Sequence, residues 1–257
     1  MIRGLSAFVL LLVVAACGGA SLPPPQASQA PVTQPSLEAL SAGTYTSVSF
    51  QPPVTFTVPE GWVLPTDTAP YFTLRPLDND LIGMHLFRDP KAASQDATCP
   101  AAPEPGVGGS AAELAAWIQG RPGLVVSTPT MATVGGLTGL SMDVGLKADW
   151  KQSCPFANGL PSVPLFNSSG IDHWVVVGNE RLRLFLLDLP GGGTVAVDLD
   201  AFDGDQIEDL LSRSSGVLRS LQFASASSPA SSPGTAPASS PGTAPASSPT
   251  LPPLPTP

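Results

Sequence analysis

The sequence predicts an α+β fold, a mostly antiparallel β-sheet covered by a short helix at about residues 110–120 and a C-terminal helix at about residues 203–221. Between residues 44 and 199, short segments alternate apolar with hydroxyl or charged residues, a pattern typical of half-buried antiparallel strands. Turn residues such as Gly, Pro, Asn and Asp separate these segments. The two helical segments instead place apolar residues at helical spacing.

The strand pattern recurs along the whole central part of the chain. We expect strands at residues 44–50, 54–58, 71–75, 81–87, 124–128, 137–146, 173–177, 181–188 and 194–199. The polar turn at residues 78–80 joins two of them into a hairpin. The last three are expected to form an antiparallel meander, because only short turns connect them.

Both predicted helices carry a start signal. Ser110 and Glu113 have the spacing of a capping box, in which each side chain bonds the backbone amide of the other residue. Asp203 and Gln206 have the same spacing at the start of the C-terminal helix. The apolar faces that follow are formed by Leu114, Trp117 and Ile118 in the first helix and by Ile207, Leu210, Leu211, Val217, Leu218 and Leu221 in the second.

The N-terminus resembles a bacterial lipoprotein signal. Arg3 precedes an apolar run at residues 5–14 that is shorter than the roughly 20 residues of a membrane span. The sequence Val14-Ala15-Ala16-Cys17 then resembles a lipobox. We expect residues 1–16 to be removed and Cys17 to hold a lipid anchor on the extracytoplasmic face of a bacterial cell membrane. The alternative is an ordinary secretory signal with a chance cysteine.

Composition divides the rest of the chain. Residues 17–43 contain the anchor cysteine and a Pro-, Gln-, Ala- and Ser-rich spacer, and residues 44–223 are expected to form a single α+β domain. Residues 224–257 are rich in Ser, Pro, Ala, Gly and Thr, and an eight-residue unit at 230–237 recurs at 238–245. We expect this tail to be disordered; a cell-wall contact or an O-glycosylated stalk are alternatives.

The net charge and the cysteine count limit the classes of partner and of site that the chain is expected to have. The formal net charge of −9 argues against nucleic-acid binding, because an acidic chain repels phosphates. Cys99 and Cys154 are the only cysteines after Cys17, and two cysteines in an oxidising compartment predict one disulfide. A metal site is the weaker alternative, since no histidine or third cysteine lies near either one in the sequence.

Two long segments without a clear strand pattern, residues 89–109 and 147–172, are expected to be loops pinned by this disulfide. They form the predicted contact surface of the protein. Trp150 lies in the second loop between charged residues, which makes it a candidate contact residue for a ligand or partner. Packing beneath the disulfide loop is the alternative for this side chain.

The titratable residues form no catalytic motif that we recognise. Five acids cluster near the last helix and include candidate ligands for a hard cation such as Ca²⁺: Asp198, Asp200, Asp203, Asp205 and Glu208. Their spacing differs from an EF-hand loop, and acids also favour a helix start, so no metal and no cofactor are predicted. His85 and His173 each lie in a strand pattern without a ligand partner nearby in sequence.

Two short motifs carry a family resemblance. The turn Val58-Pro59-Glu60-Gly61-Trp62 near the start of the domain and the segment Arg219-Ser220-Leu221-Gln222-Phe223 at its end resemble those of bacterial lipoproteins with a PsbP/Mog1-like domain. The resemblance covers about residues 44–223 and implies a sheet covered by helices. It also implies a non-catalytic module for binding or assembly, and it assigns no site residues.

These observations favour a membrane-anchored extracytoplasmic lipoprotein that binds an unknown small ligand or an envelope protein. One alternative is a hydrolase that acts on the cell envelope. The other is a structural linker between membrane and wall, which would depend on the tail at residues 224–257.

Overall fold

A computed structural model of the chain describes residues 37–224. The predicted signal peptide, the lipid-anchor residue Cys17, most of the spacer and the repeat tail lie outside these residues. The described part confirms the predicted fold class, since antiparallel strands dominate and two α-helices accompany them.

The strands and helices follow one another in this order along the chain. They are β1 (Gly43–Thr46), β2 (Val54–Val58), β3 (Trp62–Asp67), β4 (Tyr71–Pro76), β5 (Ile82–Arg88), β6 (Lys91–Ala92), α1 (Ala111–Gln119), β7 (Leu124–Val126), β8 (Thr130–Val134), β9 (Leu137–Leu146), β10 (Ser162–Ser168), β11 (Ile171–Val177), β12 (Arg181–Asp188), β13 (Thr194–Ala201), α2 (Ile207–Ser220) and β14 (Gln222–Phe223).

A central eight-stranded antiparallel sheet organises the structure. Its strand order is β3-β4-β5-β13-β12-β9-β7, and β8 pairs with β9 beside β7. The small sheet β1-β2-β14 and α2 pack on one face of the central sheet, and the small sheet β11-β10-β6 and α1 pack on the other. The period-two alternation of β13 supplies both cores, because Val195, Val197 and Leu199 face the first and Ala196 faces the second.

Helix α1 begins as the sequence predicts. Ser110 accepts a hydrogen bond from the Glu113 amide, and the Glu113 carboxylate accepts one from the Ser110 amide. Leu114 and Ile118 are fully buried against the central sheet and the β10 hairpin. The local capping signal and the apolar face therefore agree, and the predicted helix is confirmed.

The capping box that the sequence predicts at the start of helix α2 does not form, so that prediction was wrong. The helix begins after it. Asp203 caps a single 3-10 turn at Gly204–Gln206 by accepting from the Asp205 amide. Gln206 does not reach back to cap the chain; its side-chain oxygen accepts a hydrogen bond from Asn79 at 2.6 Å. The contact between Asn79 and Gln206 thus replaces the local reciprocal cap.

The predicted meander and the second long loop are also corrected. Residues 162–168 form β10, which pairs antiparallel with β11 and β6. Strand β11 therefore leaves the central sheet, and only β12 and β13 of the predicted meander pair with each other. Pro161 and Pro164 argue against a strand in the sequence, because proline lacks an amide donor, and β10 was therefore not predicted. The ladder between β10 and β11 is irregular between Pro164 and Phe166.

Within residues 37–224, no helix is long and apolar enough to cross a membrane.

Substitution of two glycines by alanine is expected to change the stability of the fold in opposite directions. A methyl group at Gly139 in β9 would collide with the backbone carbonyl of Leu186 in the paired strand β12, so Gly139→Ala is expected to destabilise the fold by roughly 1–3 kcal/mol. Gly216 is exposed inside α2 with open space around it, so Gly216→Ala is expected to stabilise the fold by about 0.5–1 kcal/mol. Urea unfolding of both variants measures the change in the free energy of unfolding and its sign. Equal changes in the two variants would contradict the close approach of β9 and β12.

Candidate functional site

The two long connecting segments meet at a disulfide. Cys99 and Cys154 are bonded, with 5.6 Å between their Cα atoms, as the cysteine count predicted. Both half-cystines are buried beside Ala157 and against Val177 of β11. The bridge therefore fixes the segment before α1 to the segment that leads into β10, although the two are far apart in sequence.

A crevice of about 230 Å³ opens beside the disulfide, and we call it the disulfide crevice. Trp150, Cys99 and Cys154 line it together with Gln95 and Gln152. The Trp150 indole nitrogen donates a hydrogen bond to the Ser162 carbonyl at 3.0 Å, which holds the ring against the start of β10. Trp150 is half-buried, packs against the core that contains α1 and β10, and also lines the crevice.

A second opening of about 490 Å³ lies where β5 leads into β6 and β10 turns into β11. We call it the Arg88 groove, and its polar lining includes Arg88, Asp89, Lys91, Asn167 and Ser168. Asp89 accepts a hydrogen bond from Arg88 Nε at 2.8 Å, and Lys91 pairs across the ladder with Asn167. Both openings therefore lie on the surface that the sequence assigned to the two loops.

A cluster of buried and half-buried polar side chains lies on the face of the central sheet that β10 and β11 cover. Each neighbouring element contributes one or two members, because residues two apart in a strand share a face. The cluster, called here the His85 cluster, contains Tyr71 of β4, His85 of β5, Asp198 and Asp200 of β13, Glu180 before β12 and Trp174 of β11.

Short contacts connect the members of the His85 cluster. The His85 ring reaches Asp200 Oδ1 from Nε2 at 2.7 Å and the Tyr71 hydroxyl from Nδ1 at 2.6 Å. The Trp174 indole nitrogen donates to Asp198 Oδ2 at 2.7 Å and the Trp174 ring packs on the imidazole, with the centroids 4.6 Å apart. Trp174 thus joins the outer sheet to the acids of the central sheet.

Burial raises the pKa of two acids in this cluster, Asp198 and Glu180. Burial first, and then the charge of Asp200, raise the pKa of Asp198 from its ordinary 3.8 to about 7, although His85 and Trp174 act in the opposite direction. Burial and the neighbouring Asp200 likewise raise the pKa of Glu180 well above its ordinary value. These carboxyl groups therefore tend to hold protons at a pH where exposed acids have lost them.

The base and the phenol of the cluster respond to the same acids. Burial opposes a charged imidazole, but the charge and hydrogen bond of Asp200, with the charge of Asp198, outweigh it and raise the pKa of His85. Burial, together with the two aspartates, raises the pKa of Tyr71 to about 12. A charged His85 forms an ion pair with Asp200, with 2.7 Å between Nε2 and Oδ1, and donates from Nδ1 to the Tyr71 hydroxyl oxygen.

The structure separates the acids that the sequence grouped as candidate cation ligands. Asp198 and Asp200 belong to the His85 cluster, whereas Asp203 caps the 3-10 turn and Asp205 donates its amide to that cap. Across residues 37–224, no three His, Cys, Asp or Glu side chains are arranged to hold one metal ion. Glu208 instead lines a different groove, beside Arg181 and Arg183.

His85 belongs to a cluster that its local sequence does not indicate, and His173 lies outside that cluster. His173 stacks on Phe156 with ring centroids 4.3 Å apart, beside the disulfide-bonded segment. The available signal for the cluster was the spacing of Asp198 and Asp200, two acids on the same face of an otherwise apolar strand. Their pairing with His85 depends on the β5–β13 register, in which His85 lies opposite Asp198.

No family model and no curated protein matches the chain. Among solved structures, it is similar to the solution structure of cyanobacterial PsbP (CyanoP) from Synechocystis sp. PCC 6803, with 13% sequence identity and a TM-score of 0.36. The match covers 78% of this chain and 99% of that chain. A likeness at this level carries no argument about the family or the function of the chain.

Removal of the disulfide is expected to lower the stability of the fold by a large amount. The bridge spans 55 residues of sequence, so Cys99→Ser/Cys154→Ser is expected to lower the free energy of unfolding by about 4 kcal/mol through the entropy of the unfolded chain. Urea unfolding of the variant and of the oxidised wild type measures the difference. Equal midpoints and slopes in the two curves would show that the bridge does not constrain the protein.

Removal of the Asp198 charge is expected to change how the stability of the fold depends on pH. Because its folded pKa is raised, its contribution to stability is complete below about pH 4 and is lost as the pH rises to about 7. Asp198→Asn should therefore flatten the fall of stability between about pH 4 and 7 and raise stability at about pH 8 by about 1–3 kcal/mol. Thermal unfolding across this range measures both effects.

Asp149→Asn is the matched control for this prediction, since Asp149 is exposed and the substitution removes the same charge. The control should keep the pH profile of the wild type. If Asp198→Asn also kept that profile, or lowered stability at every pH, the raised pKa of Asp198 would be wrong.

Proposed function

We propose that this chain is a membrane-anchored extracytoplasmic lipoprotein whose folded part is a non-catalytic ligand-binding or protein-interaction module. Its contact surface is the region where the segments that contain Cys99 and Cys154 meet. The observation that carries the proposal is the disulfide, because it fixes two long connecting segments into one surface with two openings.

Two independent features support export to an oxidising compartment. Structural disulfides persist outside the reducing cytoplasm, and Cys99 and Cys154 form one here. The N-terminal sequence has a short apolar run that ends in Ala15-Ala16-Cys17, the pattern expected before a lipid-modified cysteine. Lipid at Cys17 would hold the domain at the membrane, and residues 18–36 would act as a spacer.

The burial of the His85 cluster supports binding over hydrolysis. A hydrolase must bring its base and its nucleophile or water to the substrate. Here Asp198 has no exposed surface, and the Trp174 ring covers the His85 imidazole. The disulfide crevice and the Arg88 groove open to solvent and are lined by other residues.

Native mass spectrometry of the full chain, extracted from the membranes of its own host, tests the binding role. A ligand-binding module predicts a reproducible extra mass that leaves on denaturation, in addition to the covalent lipid. A protein without that mass would overturn the small-ligand form of the proposal and direct the search to a protein that co-purifies with the chain.

Metabolic labelling with a fatty acid tests the anchor separately. The wild type should incorporate the label and begin at Cys17, whereas Cys17→Ser should lose the label because it lacks the acceptor thiol. Cys99→Ser is the matched control, since it removes a different cysteine, and it should remain labelled. An unlabelled wild type, or one that retains residues 1–16, would contradict the anchor.

A further inference from the structure

The Arg88 groove has the size and position of a small-molecule site. Its volume of about 490 Å³ falls in the range of ligand pockets, roughly 300–1,000 Å³. Strand β5 supplies one wall through Arg88, and the paired strands β6 and β10 supply another through Lys91 and Asn167. The Pro70 and Pro103 rings give the groove apolar surface between these polar groups.

Positive charge is concentrated in this groove although the whole chain carries −9. Arg88 and Lys91 contribute two cations, and Asp89 is the one acid among the lining residues. Asp89 is already held in place, since its Oδ1 accepts from the Thr194 amide at 3.0 Å and its Oδ2 accepts from Arg88 Nε. That bond orients the guanidinium and leaves its two Nη groups to donate to an anion.

Two residues that line the groove have a buried oxygen without a hydrogen-bond partner. Asn167 is only 9% exposed, its side-chain nitrogen donates to the Asp172 carbonyl, and its Oδ1 has no partner within residues 37–224. The buried hydroxyl oxygen of the adjacent Ser168 has no partner there either. A buried acceptor without a donor costs stability, so a ligand hydroxyl group that donates to Asn167 would relieve this cost.

We propose that the Arg88 groove binds an anionic polyol, a molecule that carries a phosphate or carboxylate beside hydroxyl groups. The anion accepts hydrogen bonds from Arg88 and Lys91, and a hydroxyl group donates to Asn167 Oδ1. This inference names the ligand class of the binding role proposed above and rests on that role. The same chemistry is found in a soluble sugar or glycerol phosphate and in the headgroup of an anionic glycerolipid.

Isothermal titration calorimetry tests the ligand class with the full, lipidated chain in neutral phosphatidylcholine vesicles. The probes are glycerol 3-phosphate, glycerate, inorganic phosphate and glycerol at low ionic strength. At least one of the two anionic polyols should bind more tightly than both phosphate and glycerol, because only they satisfy the cations and the Asn167 acceptor together. Equal or absent binding of all four probes would overturn the inference.

Substitutions locate the binding in the groove. Lys91→Gln removes an exposed cation from the lining and should lower the affinity for the anionic polyol by roughly tenfold. Lys151→Gln is the matched control, since this exposed lysine is outside the groove lining and the charge change is the same. Equal weakening by both variants would assign the effect to net charge and overturn the site.

The composition of the vesicle separates the two sources of the ligand. If a lipid headgroup fills the groove, vesicles that contain phosphatidylglycerol should weaken the binding of the soluble probe, and Lys91→Gln should abolish that competition. If the ligand is soluble, phosphatidylglycerol should lower the probe affinity of the wild type no more than it lowers that of Lys91→Gln under the same conditions.

Native mass spectrometry distinguishes failure of this inference from failure of the binding role. A bound native molecule that lacks an acidic group would overturn the anionic polyol and leave the ligand-binding role intact. A bound molecule with a phosphate or carboxylate beside hydroxyl groups, displaced by the soluble probe, would support both.

Discussion

Three buried carboxyl groups lie close together in the His85 cluster, and the stability of the fold depends on how few charges they keep. Asp198, Asp200 and Glu180 are each less than a tenth exposed, so their charges are costly unless protons or partners neutralise them. His85 supplies one positive charge and the Trp174 indole supplies one hydrogen bond. The outer sheet β11-β10-β6 covers these groups and contributes the Trp174 hydrogen bond to them.

This packing connects the buried cluster to the candidate contact surface. Strand β10 pairs with β6 and β11 and contributes Asn167 to the Arg88 groove, while its first residue, Ser162, accepts from Trp150 beside the disulfide. Strand β11 presents Trp174 to the acids and His173 to the disulfide-bonded segment. The layer that closes the His85 cluster is thus the layer that shapes both openings.

Local signals in the sequence were sufficient for some elements and insufficient for others. The capping box at Ser110, the strand patterns of β2, β12 and β13, and the number of cysteines each depend on few residues, and the structure agrees with them. Strand β10 was missed because its prolines argue against a strand, and β11 was misassigned because chain order does not determine strand pairing. The His85 cluster depends on register between β5 and β13, which no local pattern specifies.

The most direct test of this account is the pKa of Asp198 measured by carbon NMR of the side-chain carboxyl groups, with Asp198→Asn used to assign the signal. Burial next to Asp200 predicts that this carboxyl group titrates near pH 7, while an exposed aspartate titrates near its ordinary value of about 3.9. A normal titration of Asp198 would contradict the burial of the cluster beneath Trp174, and with it the packing of the outer layer that shapes the proposed binding surface.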